Sequence, residues 1–405
     1  MESTTGTRPA VRALAAPSDW LLMAVLVAGH AVKHLYNGGF FILLPAIQTG
    51  FGLSNTALGT LSTARNVTSG LTNLPAGFLA DRYSRHWGAI LGVAMAVVGI
   101  FTFVLGSVNS FMLLLIAAAV VGGAISFWHP SAIAALSQRF PQRRGFAIAL
   151  HGTGGSIGEA ISPLLVGALL GLIAWQSVLR LGLAPALVTG AVVWVLMRNL
   201  RGQTTSELTF ARYLRAVQRL VSNPTVLTVL VVTGCFSMVQ GALWTFLPVY
   251  LRNDLGYSAL QMGAFVSAAQ VAGIISQPIL GHLSDRLGRQ AVLAPSLLLL
   301  ALGVLSIGLV PPGWPLAVSV TLMGAFQFPL MSLFLATAMD EVGEEVQATT
   351  VSLVFGIGTI FASLSPTIAG FLADAFAVRV VFFYCAAFGV LGAIVLLARG
   401  RARRS

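Results

Sequence analysis

Twelve stretches of this 405-residue chain stay apolar for about 20 residues or more, the length needed to cross a bilayer as a helix. They run over 20–48, 55–80, 88–107, 111–138, 146–170, 173–197, 225–251, 258–283, 291–311, 315–339, 346–372 and 377–398. Only 9% of the residues are charged and 57% are hydrophobic, whereas soluble chains carry roughly 25% charge. There is too little polar surface to wrap twelve such runs in water. In hydrocarbon each segment must satisfy its own backbone amides, so the runs must be helices. The reading is an all-α integral membrane protein; a soluble enzyme, a disordered chain and a nucleic-acid domain are excluded. The first run is too long for a cleaved leader and carries His30, Lys33 and His34, which suits a retained helix.

Net charge is +11, from 22 Arg and the single Lys33 against 12 acids. Arg8, Arg12, Arg82, Arg85, Arg139, Arg143, Arg144, Arg198, Arg201, Arg212, Arg215, Arg219, Arg286, Arg289, Arg399, Arg401, Arg403 and Arg404 all fall on the side that holds both termini. Only Arg252 and Arg379 fall in the opposite loops, so the positive-inside bias puts both termini in the cytoplasm. Asp340, Glu341, Glu344 and Glu345 make one inner loop acidic, but acids weigh little in this bias. The expected organisation is a tail over 1–19, a six-helix bundle over 20–197, a linker over 198–224, a second bundle over 225–398 and a basic tail over 399–405. Within the linker, residues 208–220 space apolar and basic residues helically, as for a segment lying on anionic lipid.

The two halves repeat. Gly77-Phe-Leu-Ala-Asp81-Arg82-Tyr-Ser-Arg85-His86 recurs as Gly281-His-Leu-Ser-Asp285-Arg286-Leu-Gly-Arg289-Gln290. Leu44-Pro45 recurs as Leu247-Pro248, Pro163-x-x-x-Gly167 as Pro366-x-x-x-Gly370, and Phe51-Gly-Leu-Ser54 is echoed by Leu255-Gly-Tyr-Ser258. Two pseudo-symmetric six-helix bundles related by an axis along the membrane normal describe a carrier with its site between them, working by alternating access.

With these motifs the chain resembles the major facilitator superfamily over nearly its whole length, with a loop signature at Gly77, Asp81, Arg82 and Arg85 and a weaker copy at Asp285, Arg286 and Arg289. An Asp at a helix end beside Arg side chains can close a charge-assisted latch, which the resemblance assigns to the outward-facing state. Within that superfamily the chain is similar to the fosmidomycin-resistance type of efflux protein, through His34-Leu-Tyr-Asn37, Phe127-Trp-His129-Pro130 and Thr153-Gly-Gly-Ser-Ile-Gly158-Glu-Ala-Ile-Ser-Pro163. That type shows acids where this chain has Gly38 and Ser131, and a small residue where it has Glu159. The resemblance implies a bacterial inner-membrane location; if those acids carry protons in the relatives, the departures imply that the coupling site here has moved or that coupling is different. Gly158-x-x-x-Ser162-Pro163 also partly matches the antiporter motif of drug exporters.

An ionisable group inside a span costs about 2.5–3.5 kcal/mol even on the gentler insertion scale. His30, Lys33, His34 and Asn37 lie within about 100° of arc on one helix, and Ser62, Arg65, Asn66, Ser69, Thr72 and Asn73 form a second polar stripe. Arg65 is the expected anchor for an anionic substrate because its planar fork matches carboxylate, phosphate or phosphonate. Lys33, His34, Asn37, Asn66, His129 and His151 join it as candidate contacts, with Gln240, Trp244, Gln270 and Gln327 supplied by the second half. Glu159 is the expected proton carrier, with His34 as the alternative. A closed Arg65–Glu159 or Lys33–Glu159 pair would instead merely hold helices together. His129-Pro130 is expected to shape a break in its span, and His30 to make a helix–helix hydrogen bond.

Cys235 and Cys385 lie singly in apolar runs and form no zinc or disulfide pattern. His30 and His34 are spaced for a metal, but Lys33 beside them opposes a cation, so no metal is expected. No cofactor is expected, and neither an ATP-binding loop nor a nucleophile with its base is found. The partners expected are a small, anionic substrate, protons and lipid, with a monomer as the working unit. Proton-coupled efflux of a small anionic or amphiphilic compound leads; uptake or exchange of an organic anion without obligatory protons is the alternative, and a non-transporting receptor is a third class.

Overall fold

The computed structural model describes residues 18–200, 218, 220–340 and 347–402. Helices α1 (Asp19–Phe51), α2 (Asn55–Arg82), α3 (Trp87–Leu105), α4 (Phe111–Ile125), α5 (Trp128–Arg139), α6 (Arg144–Leu172), α7 (Trp175–Leu181) and α8 (Leu183–Met197) build one half. The other holds α9 (Pro224–Val249), α10 (Ala259–Leu287), α11 (Arg289–Ile307), α12 (Trp314–Asp340), α13 (Gln347–Ala375) and α14 (Val380–Ala402). The basic segment 208–220 lies outside the described residues except for Gln218 and Leu220, and so do Glu341, Glu344, Glu345 and residues 1–17 and 403–405 of the two tails; the last helix runs on into the expected basic tail as far as Ala402.

Ten of the passes among the described residues are long and apolar enough to cross a membrane. α1 and α2 do not reach that threshold although they are 33 and 28 residues long, because they carry the two polar stripes. Such helices are stable in a bilayer when the stripe is turned inward, and His30, Lys33, Ser62 and Arg65 are all buried.

The repeated Phe-Gly-Leu-Ser motif has a local cause. Gly52 ends α1 at φ 61°, a left-handed position that glycine adopts without strain, and Ser54 caps α2 by accepting from the Ala57 amide. Gly256, at φ 71°, and Ser258, which caps α10, do the same in the second half. Two passes are broken. The break expected at His129-Pro130 falls just before it, at Ser126-Phe127, and Pro130 sits in the first turn of α5, where no intrahelical donor is needed. The sixth pass breaks at Gly182, whose carbonyl accepts from the Tyr36 hydroxyl.

The repeated Pro-x-x-x-Gly elements seal the halves together at the end away from the termini, where α2 packs on α13 and α6 on α10. A Cβ on Gly59 would lie 2.1 Å from the Pro366 carbonyl oxygen, and one on Gly370 2.3 Å from that of Asn55. Across the pseudo-axis, Gly263 stands in the same relation to Pro163, at 2.2 Å, and Gly167 to Ala259, at 2.4 Å. The Asp374 carboxylate accepts from the Asn55 and Thr56 amides, both at 2.8 Å, and from the Thr56 hydroxyl at 2.6 Å, so one half caps a helix of the other. Asn253 donates to Gln48, and Thr63 donates to the Ser363 carbonyl and accepts from Thr367. Nearer the termini a cavity of about 700 Å³ between α2 and α13 is lined by Leu71, Asn73, Gly77 and Ile360. Asp374→Asn is expected to loosen the closed end by about 1 kcal/mol, roughly a fivefold shift in the open population, because Asp374 is solvent-exposed and its charge is screened. Spin-label distances across that end, measured in bilayers, check it.

Candidate functional site

Between the halves lies a cavity of about 400 Å³. The first half contributes Asn37, Phe41, Arg65, Asn66, Ser69 and Glu159; the second contributes Ser237, Gln240, Trp244, Gln270, Phe328 and Met331. Charge is therefore confined to one wall, and the other offers amides, a hydroxyl and aromatic surface.

Close helix approach assembles that wall. Gly122 of α4 lets α2 in against the Arg65 carbonyl, and Gly154 and Gly158 of α6 touch the α1 carbonyls of Val27 and Ala31; a Cβ at any of the three would lie within 2.3 Å of a backbone oxygen. Arg65, 4% exposed, lies over the Phe40 ring at 4.7 Å and donates from Nη2 to Asn37 Oδ1 at 2.8 Å. This bond fixes the Asn37 amide so that its Nδ2 donates to Glu159 Oε1 at 3.0 Å. The same oxygen meets His34 Nδ1 at 2.7 Å. Arg65 and Glu159 are thus held apart by a neutral amide. The direct Arg65–Glu159 and Lys33–Glu159 pairs do not form, and Arg65 Nε has no hydrogen-bond partner among the described residues.

Behind Glu159 the contacts continue into the bundle. His34 Nε2 is 3.0 Å from His30 Nε2, and His30 Nδ1 is 2.7 Å from the His151 carbonyl. The His30 and His151 rings stack at 4.0 Å. Lys33 Nζ lies 3.1 Å from His129 Nε2 and 3.3 Å from His34 Nε2. His30, His129 and His151 bring ring nitrogens within 4.8 Å of one another, a spacing a metal ion could use, yet the cation already among these rings is the Lys33 ammonium.

The pattern described as Major Facilitator Superfamily matches residues 26–366 and 229–405. The chain belongs to this superfamily. It is 24% identical over 389 residues to the fosmidomycin resistance protein of Escherichia coli, covering 93% of this chain and 92% of that protein. It is 26% identical over 348 residues to a putative metabolite transport protein of Haemophilus influenzae, covering 81% and 83%. Among solved structures, a bacterial homologue of the human lysosomal transporter Spinster, in an inward-facing and unoccupied conformation, superposes with a TM-score of 0.84 at 16% identity, covering 94% of this chain and 97% of that one.

As a member of the Major Facilitator Superfamily the chain is a multi-pass membrane transporter of the two-bundle fold, and the remaining expected residues can be placed on it. Arg65, Asn37, Asn66, Glu159, Gln240, Trp244 and Gln270 come together on the cavity wall. Lys33, His34, His129 and His151, expected as substrate contacts, do not line it; α1 turns only the Asn37 end of its stripe to the cavity. Gln327 is buried away from the cavity, its amide unpartnered among the described residues. His30 makes the helix–helix bond expected of it and also meets His34.

The superfamily loop signatures behave differently in the two halves. Arg289 binds Asp285 and, at 2.7 Å, Asp340, tying α10 to α12 within one half. Arg82 and Arg85 are exposed and form no ion pair with another described residue, while the Asp81 side chain lies outside the described set. Ser69 was legible in the α2 stripe, and Phe41 continues the α1 stripe one turn beyond Asn37 as an apolar residue that polarity does not mark; Ser237, Phe328 and Met331 sit on largely apolar helices of the second half, where little periodicity marks a cavity-facing residue.

Proposed function

We propose that the protein is a proton-coupled exporter of a small amphiphilic anion such as a phosphonate antibiotic, working by alternating access in a bacterial inner membrane with both termini in the cytoplasm. One chain supplies both walls of the path, so a monomer suffices. The observation that carries the reading is the Arg65–Asn37–Glu159 bridge on the cavity wall, which sets a guanidinium suited to anions one amide away from a half-buried carboxyl. The resistance-protein relative supports efflux, and the positive-inside bias supports the orientation. With that orientation the sealed end faces away from the cytoplasm, so an exporter would load from the cytoplasmic side.

The sign of the coupling limits the substrate. An anion at Arg65 and a proton on Glu159 favour each other electrostatically, which alone gives co-transport. Antiport needs exclusion, and exclusion arises when the substrate donates a hydrogen bond to the Glu159 carboxylate, because a proton there competes with that donor. An exported compound therefore carries an acid at one end and a hydroxyl, N-hydroxyl or ammonium donor within reach of Glu159 at the other. A plain organic anion without a donor fits the second reading, uptake or exchange; Arg65 set apart from Glu159 by Asn37 favours it for such compounds.

Inside-out vesicles test both. On adding fosmidomycin, wild type releases protons and accumulates substrate, whereas Glu159→Gln loses accumulation by at least ~10-fold yet keeps substrate exchange within ~3-fold. Substrate movement without a proton signal in either protein sinks the antiport reading in favour of the exchanger.

A further inference from the structure

Behind Glu159 the hydrogen-bonding groups outnumber the protons that a carboxylate and neutral imidazoles can supply. Three contacts stand in line: Glu159 Oε1 to His34 Nδ1 at 2.7 Å, His34 Nε2 to His30 Nε2 at 3.0 Å, and His30 Nδ1 to the His151 carbonyl at 2.7 Å. Each needs one proton between its heavy atoms. A carboxylate and two neutral imidazoles supply only two. The carbonyl accepts only, so His30 Nδ1 must carry a hydrogen, and the carboxylate accepts only, so His34 Nδ1 must carry another. The two neutral rings then face each other with bare lone pairs at 3.0 Å, a repulsive contact. One more proton removes the conflict.

We propose that Glu159, His34 and His30 form a single proton-holding chain that stores one proton beyond carboxylate and neutral imidazoles, with His30 as its buried inner terminus. The proton has three placements that satisfy all three bonds. On Glu159, the carboxyl O–H donates to His34 Nδ1 and His34 Nε2–H donates to His30. Moving it inward breaks the Glu159 O–H bond and forms His34 Nδ1–H, giving carboxylate and imidazolium. Moving it again breaks His34 Nε2–H and forms His30 Nε2–H. Every placement has zero net charge over the three residues, so the proton crosses the chain without leaving an uncompensated buried charge.

The surroundings bias the placements in opposite directions. From α1, Asn37 donates to Glu159 Oε1, which favours the carboxylate and drives the proton inward. Lys33, also on α1, lies 3.3 Å from His34 Nε2 and acts both ways: its ammonium donates there only when that nitrogen is bare, which favours the proton on His30, while its charge opposes a proton on either histidine. Arg65 of α2 acts through Asn37, His129 of α5 lies against Lys33, and His151 of α6 stacks on His30. A substrate that draws Arg65 away from Asn37 therefore loosens the donor on Glu159 and redistributes the proton. Gly155 leaves the room for the His30 ring: a Cβ there would lie 2.6 Å from its Cε1. His30 lies nearer the end with the termini than Glu159 does, so the chain leads from the cavity towards that end. Its use in transport rests on the proton-coupled reading above; its existence does not.

The test needs no substrate. The full chain, labelled with 15N in its histidine rings, is examined by solid-state NMR in lipid bilayers. The expected spectrum holds one protonated and one bare Nε2 joined by a coupling across the N–H···N bond, over pH roughly 6 to 8. His30→Gln and His34→Gln each abolish the pair. Should those variants fail to fold, contact of the wild-type pair with a 13C-labelled His151 carbonyl assigns it instead. Two bare Nε2 signals without coupling overturn the chain; if both then shift on adding Zn²⁺, the cluster is a metal site. Two uncoupled imidazolium rings overturn it equally. A coupled pair in a protein that moves no protons in vesicles leaves the chain standing and removes the coupled-transport reading.

Discussion

Adding a single methyl at Gly59 or Gly263 is expected to hold the protein open at the end away from its termini and reduce transport by ~100-fold. In the closed state the new Cβ of Gly59→Ala would stand 2.1 Å from the Pro366 carbonyl oxygen, and that of Gly263→Ala 2.2 Å from the Pro163 oxygen. Both obstacles are backbone, which cannot rotate away as a side chain tip can. Closure then requires whole helices to separate, at a cost of at least about 3 kcal/mol, enough to shift a two-state population by ~100-fold. The open state bears none of this cost, so the substitution acts on the equilibrium more than on folding. A cysteine placed at Ser69 on the cavity wall reports it: a membrane-impermeant thiol reagent added from that side labels both variants at least ~10-fold faster than the parent. Background is low because Cys235 and Cys385 are buried. Gly171→Ala, with open space around its Cβ, leaves the rate unchanged. Equal labelling in all four proteins would mean that the halves do not part at this seam.

That seam also shows how far the sequence could be read. The recurrence of Pro163-x-x-x-Gly167 as Pro366-x-x-x-Gly370 was visible as a repeat, and the structure explains it: each copy meets the first turns of a helix from the opposite half. The partners Gly59 and Gly263 were not legible, because a lone glycine in an apolar helix signals close approach without saying to what. The polar stripes of α1 and α2 were legible, since periodicity fixes which residues share a face. The rotation of α1 was not, and it decides that Asn37 reaches the cavity while Lys33 and His34 stay behind it. Glu159 stood out as an acid in an apolar run, yet its partner His34 lies 125 positions away and follows only from the packing of α1 on α6 through Gly154 and Gly158. The position of the acid has a similar logic. A Cβ on Gly38 would lie 3.2 Å from the Ser162 side chain and 3.9 Å from the Glu159 carbonyl, so the Gly38 position and Glu159 face each other across the α1–α6 contact.

The strongest single test of substrate charge is Arg65. Its guanidinium is buried, stacked over Phe40 and bonded through Nη2 to Asn37, and its buried Nε has no partner among the described residues, so a positive group is held in place on the cavity wall. A hydrogen bond to a charged partner contributes about 1.5–3 kcal/mol, so Arg65→Gln is expected to weaken binding of a phosphonate by ~10- to 100-fold, and more where two bonds are lost. Arg65→Lys keeps the charge but loses the fork, the stacking plane and the bond that orients Asn37, and is expected to recover less than half of that loss. Isothermal titration with fosmidomycin against purified wild type and both variants measures it. A neutral analogue with the acid masked provides the contrast: its binding should be equally weak in all three proteins. The two patterns separate causes that a transport assay merges. A loss confined to the anion, graded Gln below Lys below Arg, places the acid on Arg65. An equal loss for anion and neutral analogue would mean that Arg65 acts through Asn37 on the shape of the wall, and the substrate need then carry no negative charge.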